Sequence, residues 1–170
     1  MFKLRIHLTE AERLLAQADE KLRLLIMEII KVNKVMERKK LIVLSFDKLH
    51  SEGPDKAFID LSKSEYTRLT SQAAEYFIEL NHILTKLALK LFKIAEELPD
   101  KHAELAQIVK ADVKRVLASL VYLSMNFGHM FFGQPVELIL MELASIRVTL
   151  FRLSSALSVL KPEEEKPTIY

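Results

Sequence analysis

The sequence predicts an all-α protein, an antiparallel up-down-up-down four-helix bundle with long coiled-coil-like helices. Three observations lead to this prediction. Apolar residues recur at alternating spacings of four and three along four segments, which is the pattern of helices packed side by side. Only three Gly and five Pro occur in 170 residues, so few positions favour a turn. Short connections between long helices make neighbouring helices antiparallel.

Each of the four segments has its own apolar seam. The seams run from Ala11 to Met36, from Tyr66 to Leu98, from Ala106 to Met130 and from Val136 to Leu160. A helix with one apolar stripe has to bury that stripe against other helices. Four such stripes in a chain of this length predict one domain with one core, over residues 1–160.

The first helix is predicted to begin at Thr9, which forms a capping box with Glu12. Residues 1–8 would then form a separate N-terminal arm. In this arm apolar and basic residues alternate with the period of a strand. Two interpretations remain open: a strand that pairs in a dimer, or an extended or helical arm packed on the bundle.

Gly and Pro mark the remaining boundaries. Gly53-Pro54 is expected to end the first helix, and residues 55–61 to form a connector tucked under the bundle. Ser62 and Glu65 offer a second capping box for the start of helix two.

Pro99-Asp100 is expected to end helix two, with Asp100 capping helix three, which continues to about Phe132. Pro135 suits the first turn of helix four, which is expected to end near Leu160. Residues 161–170 are polar and rich in Pro and Glu, and we expect a flexible tail outside the bundle.

Composition and charge exclude several function classes. The formal net charge of +2 offers no global attraction to nucleic acid or to anionic membranes. The absence of Cys excludes disulfides and thiol chemistry. The first residues do not form a signal peptide, and no segment matches a transmembrane span well. We expect a cytoplasmic protein without membrane insertion, of a composition compatible with a thermophile.

No catalytic or cofactor motif occurs. The sequence has no Gly-rich phosphate loop and no Gly-x-Ser-x-Gly elbow. Glu79 and His82 have the Glu-x-x-His spacing of helical metal sites, but a ferritin-like centre needs two such pairs. We therefore expect no enzyme activity, no metal and no cofactor.

Basic residues suggest an alternative function, the binding of nucleic acid or of a nucleotide. The least compensated cations are Lys39 and Lys40, which we name as the candidate site. A second basic row contains Lys86, Lys90 and Lys93. The predicted register places acids beside both groups, including Glu79 beside Lys34, so an ordinary charged surface is the favoured interpretation.

Helix three has a row that is predicted to face outward and that loses its charged residues halfway. No charged residue occurs from Val116 to Val136. The row is Asp112, Arg115, Ser119, Tyr122, Asn126, His129 and Gly133.

Helix four has a second apolar stripe besides its seam, with Met141, Val148 and Phe151. Helices that are apolar on more than one side are buried on more than one side. We therefore predict a homodimer, or another homo-oligomer, that forms through helices three and four. Its predicted partner-binding residues are Tyr122, Asn126, His129, Met130, Phe131 and Phe151. The alternative is that the connector and the N-terminal arm cover these helices.

The segment Asn126-Phe127-Gly128-His129-Met130-Phe131-Phe132-Gly133, followed by Val136 and Glu137, resembles the small helical HEPN domains, and 73–83 has a similar character. The resemblance implies a helical bundle that dimerises. Ribonuclease members of that family have an Arg four to six residues before a His, and no Arg occupies those positions before His129. The resemblance therefore implies a non-catalytic relative, with Asn126 and His129 as remnants of the site.

Overall fold

The computed structural model describes the backbone of residues 2–47, 54–127 and 136–161, and the side chains of 3–34, 70–127 and 136–161. The described residues form four α-helices and one short 3-10 turn. The helices are α1 (Phe2–Asp47), α2 (Pro54–Glu97), α3 (Ala103–Asn126) and α4 (Val136–Ser158). The all-helical prediction is confirmed.

The predicted start of the first helix is wrong. Helix α1 begins at Phe2, so the residues expected to form a separate arm belong to the helix. The Thr9 hydroxyl donates a hydrogen bond of 3.0 Å to the carbonyl of Arg5, one turn earlier. A capping hydroxyl instead accepts a bond from an amide later in the chain. Thr9 therefore lies inside the helix, and the capping-box pattern with Glu12 is coincidental.

A substitution at Thr9 distinguishes a residue inside the helix from an N-cap, because the two predict opposite changes in the free energy of unfolding. Thr9 is exposed within α1, and Ala has a higher helix propensity than Thr. Thr9→Ala is expected to raise the free energy of unfolding by roughly 0.5 kcal/mol. Loss of an N-cap would instead lower it by about 1 kcal/mol. Urea denaturation monitored by circular dichroism measures the difference, and a decrease would restore the capping role of Thr9.

The second helix also begins earlier than predicted. Helix α2 starts at Pro54, so the backbone of 55–61 is helical and is not a connector. This change shifts the register of α1 against α2 by nearly four turns. Glu79 forms its ion pair with Lys21, where the sequence had predicted Lys34. The prediction failed because the register of two antiparallel helices depends on the position of the turn between them.

A proline separates the second and third helices, as predicted. Pro99 has extended backbone angles (φ −66°, ψ 159°) and precedes a 3-10 turn over Asp100–His102. The N-cap position of α3 belongs to His102, which makes no side-chain capping bond, so the predicted capping role of Asp100 is wrong. The predicted end of α3, near Phe132, lies outside the described residues. The predicted tail over 162–170 also lies outside them.

The predicted seams form the core. Every member of the four seams between Ala11 and Val32, Ala73 and Ile94, Ala106 and Phe127, and Ile139 and Leu157 is buried. Helix α1 contacts α2 and α4, and α3 also contacts α2 and α4. Stacked rings of Phe77 and Phe127, with centroids 4.5 Å apart, join α2 to the end of α3. These side chains belong to one continuous apolar cluster.

The four helices differ in length. Helices α1 and α2 contain 46 and 44 residues, and α3 and α4 contain 24 and 23. Among the described residues, the two shorter helices are therefore about half as long as the longer pair. In the described parts of the chain, no helix has both the length and the apolar character needed to cross a membrane.

Candidate functional site on helices α3 and α4

The uncharged row of α3 does not face outward as the sequence predicted. Asp112 and Ser119 are both buried, and each contacts a polar side chain of α4. Arg152 forms an ion pair with Asp112, and the Ser119 hydroxyl donates a hydrogen bond to Glu142. The row lacks outward charges because it lies along the contact between α3 and α4. The charged partners of its polar residues come from α4.

The Asp112 carboxylate is the most deeply buried charged group among the described residues, with 2% of its surface exposed. Its Oδ1 atom accepts the hydrogen bond from Arg152, whereas Oδ2 is buried and has no partner. The Arg152 side chain itself is half-exposed. A buried carboxylate depends strongly on its counter-ion, because an unpaired charge in a protein interior is costly.

Three of the six predicted partner-binding residues are among the described residues, and they differ in exposure. Phe151 is 74% exposed. Tyr122 and Asn126 are half-buried, and the amide of Asn126 donates a bond of 2.8 Å to the carbonyl of Tyr122. His129, Met130 and Phe131 lie outside the described residues, and so do the side chains of Lys39 and Lys40. Binding of a partner by these residues remains a prediction.

A second row of small and apolar residues follows the solvent side of α4, and we call it the outer row. All its members are exposed, and their spacings of three and four place them on one helix face. The outer row is Met141, Ala144, Val148, Phe151, Ser155 and Val159. Met141 is 67% exposed and Val148 60%. Helix α4 therefore has two apolar faces, and the described helices cover only the inner one.

Helix α3 also has two exposed apolar side chains, Val121 at 60% and Met125 at 71%. They lie two and six residues after Ser119, which contacts Glu142 of α4. Residues at those spacings point to other sides of a helix, so these two side chains do not extend the outer row.

Phe151 also lines an open groove between α1 and α4, of about 520 Å³. Two ion pairs cross this groove, one between Arg147 and Asp19 at 2.9 Å and one between Lys161 and Glu12 at 2.8 Å. All four side chains are partly exposed, so these pairs contribute little stability. They occupy the edge of α4 that faces α1. Exposed Glu137, four residues before Met141, and Arg152, four residues after Val148, flank the outer row.

The expected absence of a metal remains a prediction. Glu79 forms its ion pair with Lys21, and His82 lies exposed one turn further along α2. Among the residues whose side chains are described, no group of three or more His, Asp or Glu side chains could hold a metal ion.

Comparisons with protein families, with curated proteins and with solved structures found no match for this chain. The segment that resembles HEPN domains lies mostly in 128–135, outside the described residues. The description of the site therefore rests on the residues of this chain.

The sequence contained a signal for half of the outer row. The second stripe predicted on helix four included Met141, Val148 and Phe151. Ala144, Ser155 and Val159 continue the same spacing of three and four. Their exposure identifies them as one surface.

Proposed function

We propose that this chain is a non-enzymatic, cytoplasmic helical-bundle protein that acts through protein contacts, and that it forms a homodimer through the outer row of α4. The observation that carries the proposal is the second apolar face of this helix. Apolar helix faces of this length are normally covered in a stable soluble protein. A second copy of the same face is the occupant that we propose.

We also propose that the bundle has up-down-up-down topology. Support comes from the order of contacts between helices. His7 lies 4.0 Å from Glu97, and Lys21 contacts Glu79, so the partner numbers fall along α2 as they rise along α1. The same relation supports an antiparallel α3 and α4, because Asp112 contacts Arg152 and Ser119 contacts Glu142.

The outer row is complementary to itself in an antiparallel pair. A two-fold axis at Val148 would place Met141 opposite the partner's Ser155, and Ala144 close to the partner's Phe151. Met141 and Phe151 would then each meet a small side chain, and Val148 would meet its own copy, which allows two helices to approach closely. Such an interface is isologous, because the same residues contribute from both chains.

The start of α1 contacts α2. Residues from Phe2 onward continue α1, and His7 lies 4.0 Å from Glu97 of α2. These contacts do not support the alternative that a separate N-terminal arm covers helices three and four.

Single-cysteine variants test both the contact and its direction, because the chain has no Cys of its own. Val148→Cys is expected to form a disulfide-linked dimer under mild oxidation, since residues on a two-fold axis meet their own copies. Met141→Cys alone is expected to stay uncrosslinked, because its two copies would lie about 21 Å apart. A mixture of Met141→Cys with Ser155→Cys is expected to crosslink.

A matched control is Ile78→Cys on α2, which is as exposed as Met141. It is expected to give no more dimer than random collision does. Efficient crosslinking of Met141→Cys by itself would indicate a parallel pair and would overturn the proposed geometry. A wild-type solution mass equal to the 19.6 kDa of one chain, measured by light scattering at micromolar concentration, would overturn the dimer itself.

A further inference from the structure

A basic groove lies between α1 and α2, on a different face of the bundle from the outer row. Four cationic side chains and one carboxylate line it, in an open volume of about 410 Å³. The charged residues are Arg13, Lys86, Lys90, Lys93 and Glu10. The three lysines occupy positions i, i+4 and i+7 of α2, so they share one helix face and span about 10 Å along its axis.

Lys90 lines the basic groove and is held in place by Glu10 and His7. Its ammonium lies 2.7 Å from the Glu10 carboxylate and donates a bond of 3.1 Å to Nδ1 of His7. The hydrogen bond from Lys90 is the main cause that lowers the pKa of Glu10. The single carboxylate of the groove is therefore already engaged by one lysine.

The other lysines of the groove are available to an incoming ligand. Among the residues whose side chains are described, Lys86 and Lys93 make no ion pair and no hydrogen bond. Both are exposed, and Arg13 extends from α1 on the opposite wall. Like charges that converge on one groove repel each other, and a bound anion relieves that repulsion.

A second groove of about 610 Å³ continues the basic groove toward the middle of the bundle. The two grooves share Gln17, His82 and Ile83. Carbon atoms make up most of the accessible surface of the second groove, although Glu20 and the paired Lys21 and Glu79 also line it. The complete site is therefore cationic at one end and mostly carbon-lined at the other, and the junction has an amide and an imidazole that can hydrogen-bond.

We propose that these two grooves together bind a nucleoside triphosphate, with the phosphates between Arg13, Lys86 and Lys93 and the base over Ile83. A nucleotide has both parts that the site requires, adjacent phosphate groups and a flat ring with polar edges. A binding site on this surface goes beyond the proposed dimer and is independent of it.

The charges at one end of the site favour a compact ligand over a long polyanion. Glu96 and Glu97 follow Lys93 on α2 and are exposed. A nucleic acid strand that follows the lysines past Lys93 would meet these two carboxylates, and repulsion would oppose it. At the other end Glu20 and Glu79 are paired with Arg23 and Lys21, so the site there has no net negative charge.

Isothermal titration calorimetry with the full chain tests the proposal, using adenosine triphosphate, tripolyphosphate, adenosine and a ten-nucleotide single strand as probes. We expect adenosine triphosphate to bind at least about tenfold more tightly than tripolyphosphate, because the base adds apolar contact. We expect no measurable binding of adenosine. Equal affinity for the first two probes, or tighter binding of the oligonucleotide, would overturn the proposal.

Two double variants separate the site from net charge. Lys86→Ala with Lys93→Ala is expected to weaken the binding of adenosine triphosphate by at least about tenfold, since two cations are lost from the site. Lys110→Ala with Lys114→Ala removes the same charge from α3, outside the groove, and is expected to leave binding within about twofold. Equal loss of affinity in both variants would show that binding depends only on net charge, and it would overturn the assigned site. Thermal unfolding of both variants verifies that they fold.

Discussion

A chain with Met141→Asp and Val148→Asp is expected to elute as a folded monomer at concentrations where the wild type has twice the 19.6 kDa mass of one chain. In a two-fold dimer each substitution occurs twice, so four carboxylates would enter an apolar contact. A buried charge without a partner costs several kcal/mol. The dimer dissociation constant should therefore rise more than about 100-fold, which corresponds to about 3 kcal/mol.

Both substituted side chains are mostly exposed in the single chain, so the monomer should keep its helical content and its melting behaviour. The matched control is Ile78→Asp with Leu89→Asp. These residues of α2 are 67% and 62% exposed, and they lie away from the outer row. The control should remain dimeric. If the α4 variant keeps the wild-type mass, the outer row is not the interface.

Arg152→Ala is expected to lower the free energy of unfolding by about 3 kcal/mol. The substitution leaves the Asp112 carboxylate buried without its counter-ion, and Oδ2 of that group already lacks a partner. The loss should lie at the lower end of the range for broken buried ion pairs, because Arg152 is half-exposed and water can partly replace it.

Arg147→Ala is the matched control for this prediction. It removes the same residue type from the same helix, but its partner Asp19 is half-exposed, so the expected loss is below about 1 kcal/mol. Replacement of both Asp112 and Arg152 by Leu should recover most of the loss, since no buried charge remains. Urea denaturation in the Met141→Asp, Val148→Asp background measures folding without dimerisation. Equal losses for the two Arg variants would show that burial of Asp112 does not control stability.

The sequence predicted the helices and their inner faces well, for a reason that particular residues illustrate. Leu80, Leu84 and Leu87 are spaced to fall on one side of a helix, and all three are buried. This relation depends only on the 3.6-residue turn of the backbone. The apolar spacing within each helix therefore indicates which side of that helix faces the core.

The ends of the helices were predicted less well, because capping patterns are short. Thr9 and Glu12 match a capping box, yet Thr9 bonds backward to Arg5 inside α1. A pattern of two residues recurs by chance in a chain rich in Glu. The burial of Leu8, just before the predicted start, shows that tertiary packing extends the helix beyond the local signal.

The candidate site was predicted in part. Phe151 and the stripe around Met141 were identified from apolar spacing, and both are exposed as a protein contact requires. The uncharged row of α3 was assigned to the wrong side, because its charged partners Glu142 and Arg152 come from another helix. The basic groove needed Arg13 of α1 beside Lys86 of α2, and that pairing depends on the register.

The sequence by itself determined that this protein is helical, which side of each helix is buried, and that α4 has a second apolar face. The tertiary structure alone decided which helix lies against each flank, that Lys21 and not Lys34 meets Glu79, and that Asp112 is buried beside Arg152. The physical reason is that periodicity fixes the angle of a residue around its own helix axis. The height of that residue against a neighbouring helix depends on where the turns between helices fall, and a turn leaves no periodic signal.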